Sequence, residues 1–149
     1  MLQPGEHIAA LAITEPGGGS DVAAIQTRAR REGDNYIVNG AKTFITSGCR
    51  ADIVTTAVRT SGKGHEGLSL LVIERGSEGF SVGRKLDKTG WWASDTAELH
   101  FEDCVVPAGN LIGAEGHGFV AIMSNFVAER LMLAGACVAI AELAYRESM

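Results

Sequence analysis

A mainly β domain, built as an antiparallel sandwich or barrel and followed by one long helix, is the fold class this sequence predicts. Three observations predict it. Short apolar runs recur through residues 1–113, separated by glycine-containing turns roughly every ten residues. No long helical pattern lies between those runs, which argues against a doubly wound parallel sheet. From Phe119 to Tyr145 there is then no proline and one glycine, with strong helix formers throughout. The expected organisation is a β-domain over residues 1–113 and the start of a helical domain over residues 114–149.

Taken in chain order, the first strand is expected around Ala9–Ile13. It leads into Thr14-Glu15-Pro16-Gly17-Gly18-Gly19-Ser20-Asp21, where Ser20 and Asp21 can cap a short helical turn through Val22–Ile25. Tyr36-Ile37-Val38 and Lys42-Thr43-Phe44-Ile45-Thr46 flank Asn39-Gly40. That dipeptide suits a two-residue turn whose positions both need positive φ, so a hairpin is expected there. Further strands are expected at Asp52–Arg59, Leu68–Glu74, Gly79–Arg84 and Thr96–Phe101. In the helical part, Ile122, Phe126, Glu129, Leu133, Ala136 and Ile140 repeat at helical spacing. Met123, Val127, Leu131, Ala134 and Val138 cover a second face. A helix this apolar around its circumference belongs inside a bundle, because one β-domain can cover only about half of it. Its partners are expected from sequence absent from this chain or from other subunits, so the chain reads as a piece of a longer protein.

Composition narrows the function. With 149 residues, 46% of them hydrophobic and 21% charged, the chain fits a globular domain with a sizeable core rather than a disordered segment. Its net charge of −5 argues against a general nucleic-acid surface. The Arg28-Ala29-Arg30-Arg31 run is broken at once by Glu32 and Asp34 and reads as a solvated face. Cys49, Cys104 and Cys137 are far apart, the four histidines are scattered, and no metal-ligand spacing occurs. Met1-Leu2-Gln3-Pro4-Gly5-Glu6-His7 lacks the basic and apolar parts of a secretory signal. Glu129 and Arg130 interrupt the most apolar stretch, which argues against a membrane span.

Three places can carry chemistry. The glycines of Gly17-Gly18-Gly19-Ser20 let the backbone approach a ligand and aim successive N–H groups at an anion, although the same glycines also make an ordinary turn. The segment Phe44-Ile45-Thr46-Ser47-Gly48 is unremarkable alone. Glu129 interrupts an apolar stripe between Phe126 and Leu133. There it is expected to be partly desolvated, which raises a carboxyl pKa toward a general-base value. The other reading is that it pairs with a basic residue from outside the chain. Glu142 and Arg146 form an ordinary i, i+4 surface pair.

Together these pieces resemble the acyl-CoA dehydrogenase family. The resemblance runs through Ala12-Ile13-Thr14-Glu15-Pro16-Gly17-Gly18-Gly19-Ser20-Asp21 and Asn39-Gly40-Ala41-Lys42-Thr43-Phe44-Ile45-Thr46-Ser47-Gly48. It continues through Gly90, Ser94-Asp95-Thr96, Phe101-Glu102-Asp103-Cys104-Val105-Val106-Pro107 and Gly116-His117-Gly118-Phe119. Each piece is weak, but the ordered set is specific and covers essentially the whole chain.

The resemblance implies the family's middle β-domain followed by the first helix of its C-terminal helical domain. It implies a flavoprotein oxidoreductase of fatty-acid β-oxidation that uses FAD to convert an acyl-CoA to the trans-2-enoyl-CoA. A glutamate removes the α-proton, the β-hydride goes to flavin N5, and an electron-transfer flavoprotein takes the electrons. It further implies a homotetramer or dimer, without a membrane span, in the cytoplasm or the mitochondrial matrix. By position, Leu11, Ile13, Thr14, Gly19, Ser20, Phe44, Ile45 and Thr46 line the flavin. Thr14 and Thr46 bond its ring system, Gly19 and Ser20 approach the pyrophosphate, and Phe44 and Ile45 pack on the isoalloxazine. Ser20 also touches the CoA, and Phe126 and Val127 border the acyl pocket. Many relatives have tryptophan at the Phe44 position. The stretch Ala128-Glu129-Arg130-Leu131-Met132-Leu133-Ala134-Gly135 resembles the isovaleryl-CoA and long-chain branches, which makes Glu129 the base and Arg130 an organiser of the substrate site. An acyl-CoA oxidase or flavin monooxygenase on the same fold, or a non-catalytic β-domain, are the alternatives. Weak or absent FAD binding by this chain alone is expected, because the family's site also draws on the C-terminal domain and a neighbouring subunit.

Overall fold

The computed structural model describes residues 5–149; the first part of the reading made from Met1–His7 falls on residues 1–4, outside them. Eight strands form one open sheet: β1 (Ala9–Ala12), β2 (Arg28–Glu32), β3 (Asn35–Thr46), β4 (Ile53–Arg59), β5 (Leu68–Glu74), β6 (Phe80–Lys85), β7 (Thr96–Pro107) and β8 (Leu111–Ile112). Their spatial order is β6-β7-β3-β2-β4-β5-β8, with β1 also paired to β4. The expected β class followed by a long helix holds.

The sheet is mixed rather than wholly antiparallel. Strand β4 gives one edge to β5 along its length, Ile53↔Glu74 to Arg59↔Leu68. Its other edge is shared by β1 over Ile53–Thr56 and by β2 at the single pair Arg28↔Arg59, both parallel. Parallel neighbours need a long connection between them. The loop after β1 together with the β2–β3 hairpin supplies one for β1 and β4.

The hairpin expected at Asn39-Gly40 is not there. Strand β3 runs straight through both residues, and the turn lies six residues earlier at Gly33-Asp34, between the paired Glu32 and Asn35. Gly33, at φ +57°, has the left-handed backbone such a turn requires. Asn39 and Gly40 instead form a bulge, where the register with β7 slips between Val38 and Gly40. The Asn39 side chain accepts from the Asp103 amide at 2.9 Å and donates to the Asp103 carboxylate at 2.9 Å. Gly40 is required by proximity, since a Cβ there would sit 2.5 Å from Thr27 Oγ1 and 2.7 Å from Thr27 Cα. Asn-Gly is therefore needed here for a bulge and a close backbone approach, not for a turn.

Strand β2 carries the basic run. Of Arg28–Glu32 only Ala29 is buried, so the run is both a strand and a solvated face. Strand β7 extends beyond the expected Thr96–Phe101 to Pro107. Strand β8 was not foreseen. The core collects alternate residues of the long strands, including Tyr36, Val38, Val54, Val58, Leu71, Ile73, Leu99, Phe101 and Val106.

Contacts divide the chain into a unit ending at Phe119 and a second unit, Val120–Met149. The helix α1 spans Gly118–Glu147, slightly longer than the expected Phe119–Tyr145. From Val127 to Met149 every residue is exposed, with Leu131 at 71% and Ile140 at 63%. Glu142 and Arg146 make the expected i, i+4 pair at 3.8 Å.

Candidate functional site

The site begins where β1 ends. Ala10 and Ala12 point into the core and Leu11 points out. Past the strand, Glu15 and Gly18 exchange two backbone hydrogen bonds of 3.0 Å, which folds Pro16-Gly17 into a tight two-residue turn. The expected helical turn follows as a 3₁₀ turn over Val22–Ala24, and the Asp21 carboxylate accepts from the Ala23 amide at 3.1 Å.

A buried ion pair fixes this loop to the sheet. Lys42 of β3 has 0% and Glu15 8% of its side chain exposed, and Lys42 Nζ lies 2.9 Å from Glu15 Oε1. Lys42 Nζ also donates to the Ile13 carbonyl at 3.0 Å. The Glu15 carboxylate accepts from the amides of Gln26 at 2.7 Å and Thr27 at 2.9 Å. Between these contacts the Thr43 amide donates to the Thr14 carbonyl at 2.9 Å.

The two partners balance differently. Burial alone would push the Glu15 carboxyl up, but the Lys42 cation and the donors from Thr27, Lys42 and Gln26 hold it below its ordinary value. Lys42 has one anion and one carbonyl for its ammonium. There burial outweighs the attraction of Glu15, and the pKa falls to about 8.

This staple sets the loop beside the end of β3. The register with β7 slips again between Lys42 and Ile45, and Phe44 adopts φ +59°. Phe44 is 67% exposed as a result, while Ile45 turns into the core. Thr46 is exposed one residue on. Asp95 secures the turn that follows: its carbonyl accepts from the Ser47 amide at 3.0 Å, and its carboxylate accepts from the Cys49 amide at 2.8 Å and pairs with Arg50 at 2.7 Å.

The residues predicted to meet a flavin thus fall into two kinds. Leu11, Gly19, Ser20, Phe44 and Thr46 are exposed, and Thr14 is half-buried. Ile13 and Ile45 are buried, so a ligand here would meet their backbone and not their side chains.

The surface suits a flavin dinucleotide. Phe44 offers an exposed ring, Thr14 and Thr46 offer hydroxyls, and the Gly19 and Ser20 amides donate to no protein acceptor among the described residues. Such free successive N–H groups fit a pyrophosphate. At Gly19 a Cβ would stand 3.0 Å from Thr14 Cγ2, so a side chain would displace the threonine.

The remaining predicted residues lie on α1. Phe126 is half-buried, and Val127, Glu129 and Arg130 are exposed, so the desolvation expected around Glu129 is not present in this chain. Asn125 Nδ2 donates to Glu129 Oε1 at 2.7 Å, and the Arg130 guanidinium lies 5.5 Å from the Phe126 ring centre. Among the described residues no cluster of three or more metal-ligating side chains occurs, and no helix is long and apolar enough to cross a membrane.

Sequence reasoning missed Glu15, Lys42 and Asp95 as functional supports. Its one available signal was a lysine inside a strand, on a position that alternation makes inward-facing.

Comparison with known proteins agrees with this geometry. Residues 10–104 match a family model described as the acyl-CoA dehydrogenase middle domain. The long-chain specific acyl-CoA dehydrogenase of Sus scrofa mitochondria is 42% identical over 151 residues, covering 99% of this chain and 35% of that protein. The short-chain specific acyl-CoA dehydrogenase of Clostridium acetobutylicum is 45% identical over 148 residues, covering 99% of this chain and 39% of that protein. The crystal structure of a probable acyl-CoA dehydrogenase from Mycobacterium abscessus superposes with a TM-score of 0.83 at 66% identity, covering 84% of this chain and 33% of that one. The chain thus spans little more than a third of the length of these relatives. By its matched sheet, its loop and its relatives alike, the chain belongs to the acyl-CoA dehydrogenase family.

Proposed function

We propose that this chain is the flavin-binding portion of an FAD-dependent acyl-CoA dehydrogenase that oxidises an acyl-CoA to the trans-2-enoyl-CoA. The observation that carries this reading is the fastening of Ile13–Glu15, where the glycine loop begins, to Lys42 and Thr43 of β3, immediately before Phe44 and Thr46. The two segments so joined carry an exposed phenyl ring, two hydroxyls and two free amides. These match the flat ring, the polar ring edge and the pyrophosphate of the cofactor.

In this reading residues 1–113 are the middle β-domain and residues 114–149 the start of the helical domain. Thr14 and Thr46 hydrogen-bond the flavin ring, Phe44 packs on it, and Leu11 with the backbone of Ile13 and Ile45 completes the wall. Gly19 and Ser20 hold the pyrophosphate, and Ser20 also meets the CoA. FAD, when bound, supplies the acceptor for the β-hydride. The Glu129 carboxylate takes the α-proton, Arg130 organises its surroundings, and Phe126 and Val127 border the acyl group. A base of this kind must sit close enough to the α-carbon to share a hydrogen bond with its proton. The full-length enzyme works as a homo-oligomer, in the cytoplasm or the mitochondrial matrix, and passes its electrons to an electron-transfer flavoprotein.

The first experiment is an absorbance spectrum of the purified full-length enzyme, taken anaerobically before and after adding an acyl-CoA. A flavin band that bleaches on addition is the expected result. The Glu129→Gln variant should keep the band and lose the bleaching, and retained bleaching would move the base elsewhere. A reduced flavin that reoxidises rapidly in air would favour an oxidase. The 149-residue chain alone is expected to show little or no flavin band after mixing with FAD.

A further inference from the structure

A lysine with no access to water is a costly thing to keep. Replacing a buried ion pair by apolar side chains of similar volume is often neutral or stabilising, so stability alone does not account for Lys42 and Glu15. Their placement does. Ile13, Thr14 and Glu15, three consecutive residues, are bonded to Lys42 and Thr43, two consecutive residues of β3. The same Glu15 carboxylate then takes the Gln26 and Thr27 amides at the far end of the loop. Both ends of the Pro16–Ile25 segment are therefore closed on one carboxylate, which Lys42 holds in place. Between those ends lie three successive glycines, which have no side chains of their own to fix them and lose the most conformational freedom on ordering.

We propose that Lys42 and Glu15 are positioning residues, which hold the Gly17–Ser20 loop and Thr14 in their cofactor-binding shape before the cofactor arrives. The proposal rests on the flavin-site reading given above. A loop ordered in advance spares the ligand the cost of ordering it, and that saving appears as affinity. The depressed pKa of Lys42 is in keeping with an ammonium held for geometry at a cost in solvation.

The decisive variant is the double replacement Glu15→Gln with Lys42→Met, which removes both charges together and so avoids leaving one buried and unpaired. Glu15→Asp is its companion: it keeps the charge for Lys42 but shortens the reach to Gln26 and Thr27, and it decides the matter if the double variant does not fold. Two quantities are measured. One is amide exchange at Gln26, Thr27 and Thr43 in this chain without cofactor. The other is the FAD dissociation constant of the full-length apoenzyme. In variants that melt near the wild-type temperature, exchange at Gln26 and Thr27 should quicken and FAD should bind roughly tenfold more weakly, as expected for lost preorganisation. A purely structural pair would instead give a stable double variant with unchanged exchange and unchanged FAD affinity, and that result overturns the proposal. If the wild-type full-length protein binds no FAD, the flavin reading fails, and the exchange measurement still decides whether the pair orders the loop.

Discussion

Replacing Gly40 by alanine separates two accounts of the same dipeptide. If Asn39-Gly40 were a hairpin turn open to solvent, an alanine would cost only the left-handed backbone penalty of about 1–2 kcal/mol. In the structure Gly40 lies inside β3 at φ +150°, and a new Cβ would fall 2.5 Å from Thr27 Oγ1, 2.7 Å from Thr27 Cα and 2.8 Å from Thr27 Cβ. Two of those atoms belong to the backbone or sit directly on it and cannot swing aside. Overpacking of this kind costs about 1–3 kcal/mol, and the unfavourable φ adds about 1 kcal/mol or more. The sum, about 3 kcal/mol, corresponds to a fall of roughly 6–12 °C in melting temperature for a domain of this size. Gly33→Ala is the internal reference. Its φ is +57° and a Cβ there meets nothing within 4 Å, so only the backbone penalty of about 1–2 kcal/mol applies. Urea unfolding of both variants measures the difference. Equal losses, or a larger loss at Gly33, would refute the continuous β3 strand and restore the turn at Asn39-Gly40.

Other outcomes follow from single contacts. Asn39→Ala removes two hydrogen bonds to Asp103 at an exposed bulge and should cost about 1 kcal/mol by urea unfolding, well below the loss at Gly40. Phe44→Ala should leave the melting temperature of this chain unchanged within error, because the ring is already in solvent, while weakening FAD binding in the full-length enzyme. Equal damage to stability would place that ring in the core. The stability difference between wild type and the Glu15→Gln, Lys42→Met double variant should depend on pH at both ends. Glu15 is held below its ordinary value of 4.5, so its contribution is present above that pH and lost as the pH falls through the folded value. Lys42 is lowered from 10.5 to about 8, so its burial penalty applies below pH 8 and is relieved as the pH rises toward 10.5. A flat difference from pH 3 to 10 would show that neither group titrates away from its unfolded value.

Most of the fold was legible because periodicity is local. Strand β5 was placed to the residue, since Leu68–Glu74 is an apolar run bounded by Gly67 and Gly76. Helix α1 was placed within a few residues for the same reason. Strand β2 was missed because Arg28-Ala29-Arg30-Arg31-Glu32 buries only one side chain and so has no apolar alternation to read. Asn39-Gly40 was misread because the residue types that permit a turn also permit a bulge, and what decides between them is Thr27, twelve or more positions away. The turn at Gly33-Asp34 offered an equally good signal one strand earlier.

The candidate site was legible in a different sense. Glycine spacing alone did not distinguish an anion-binding loop from an ordinary turn; the order of the pieces along the chain carried the family resemblance and nothing finer. What resemblance could not supply is the reason the pieces come together, because Glu15 and Lys42 are separated by 27 positions and neither is apolar. The cost of burying Lys42 is met only if Ile13, Glu15, Gln26 and Thr27 converge on it and its partner, and each of those contacts is made by backbone or by one carboxylate. Because Ile13, Gln26 and Thr27 contribute main-chain groups, the side chains on which these contacts depend are those of Glu15 and Lys42. In the proposed flavin site the exposed Phe44, Thr46 and Ser20 side chains take no part in the Lys42–Glu15 pair or in its backbone contacts. That division leaves the Phe44 ring 67% exposed beside a loop fixed by a pair that is almost wholly buried.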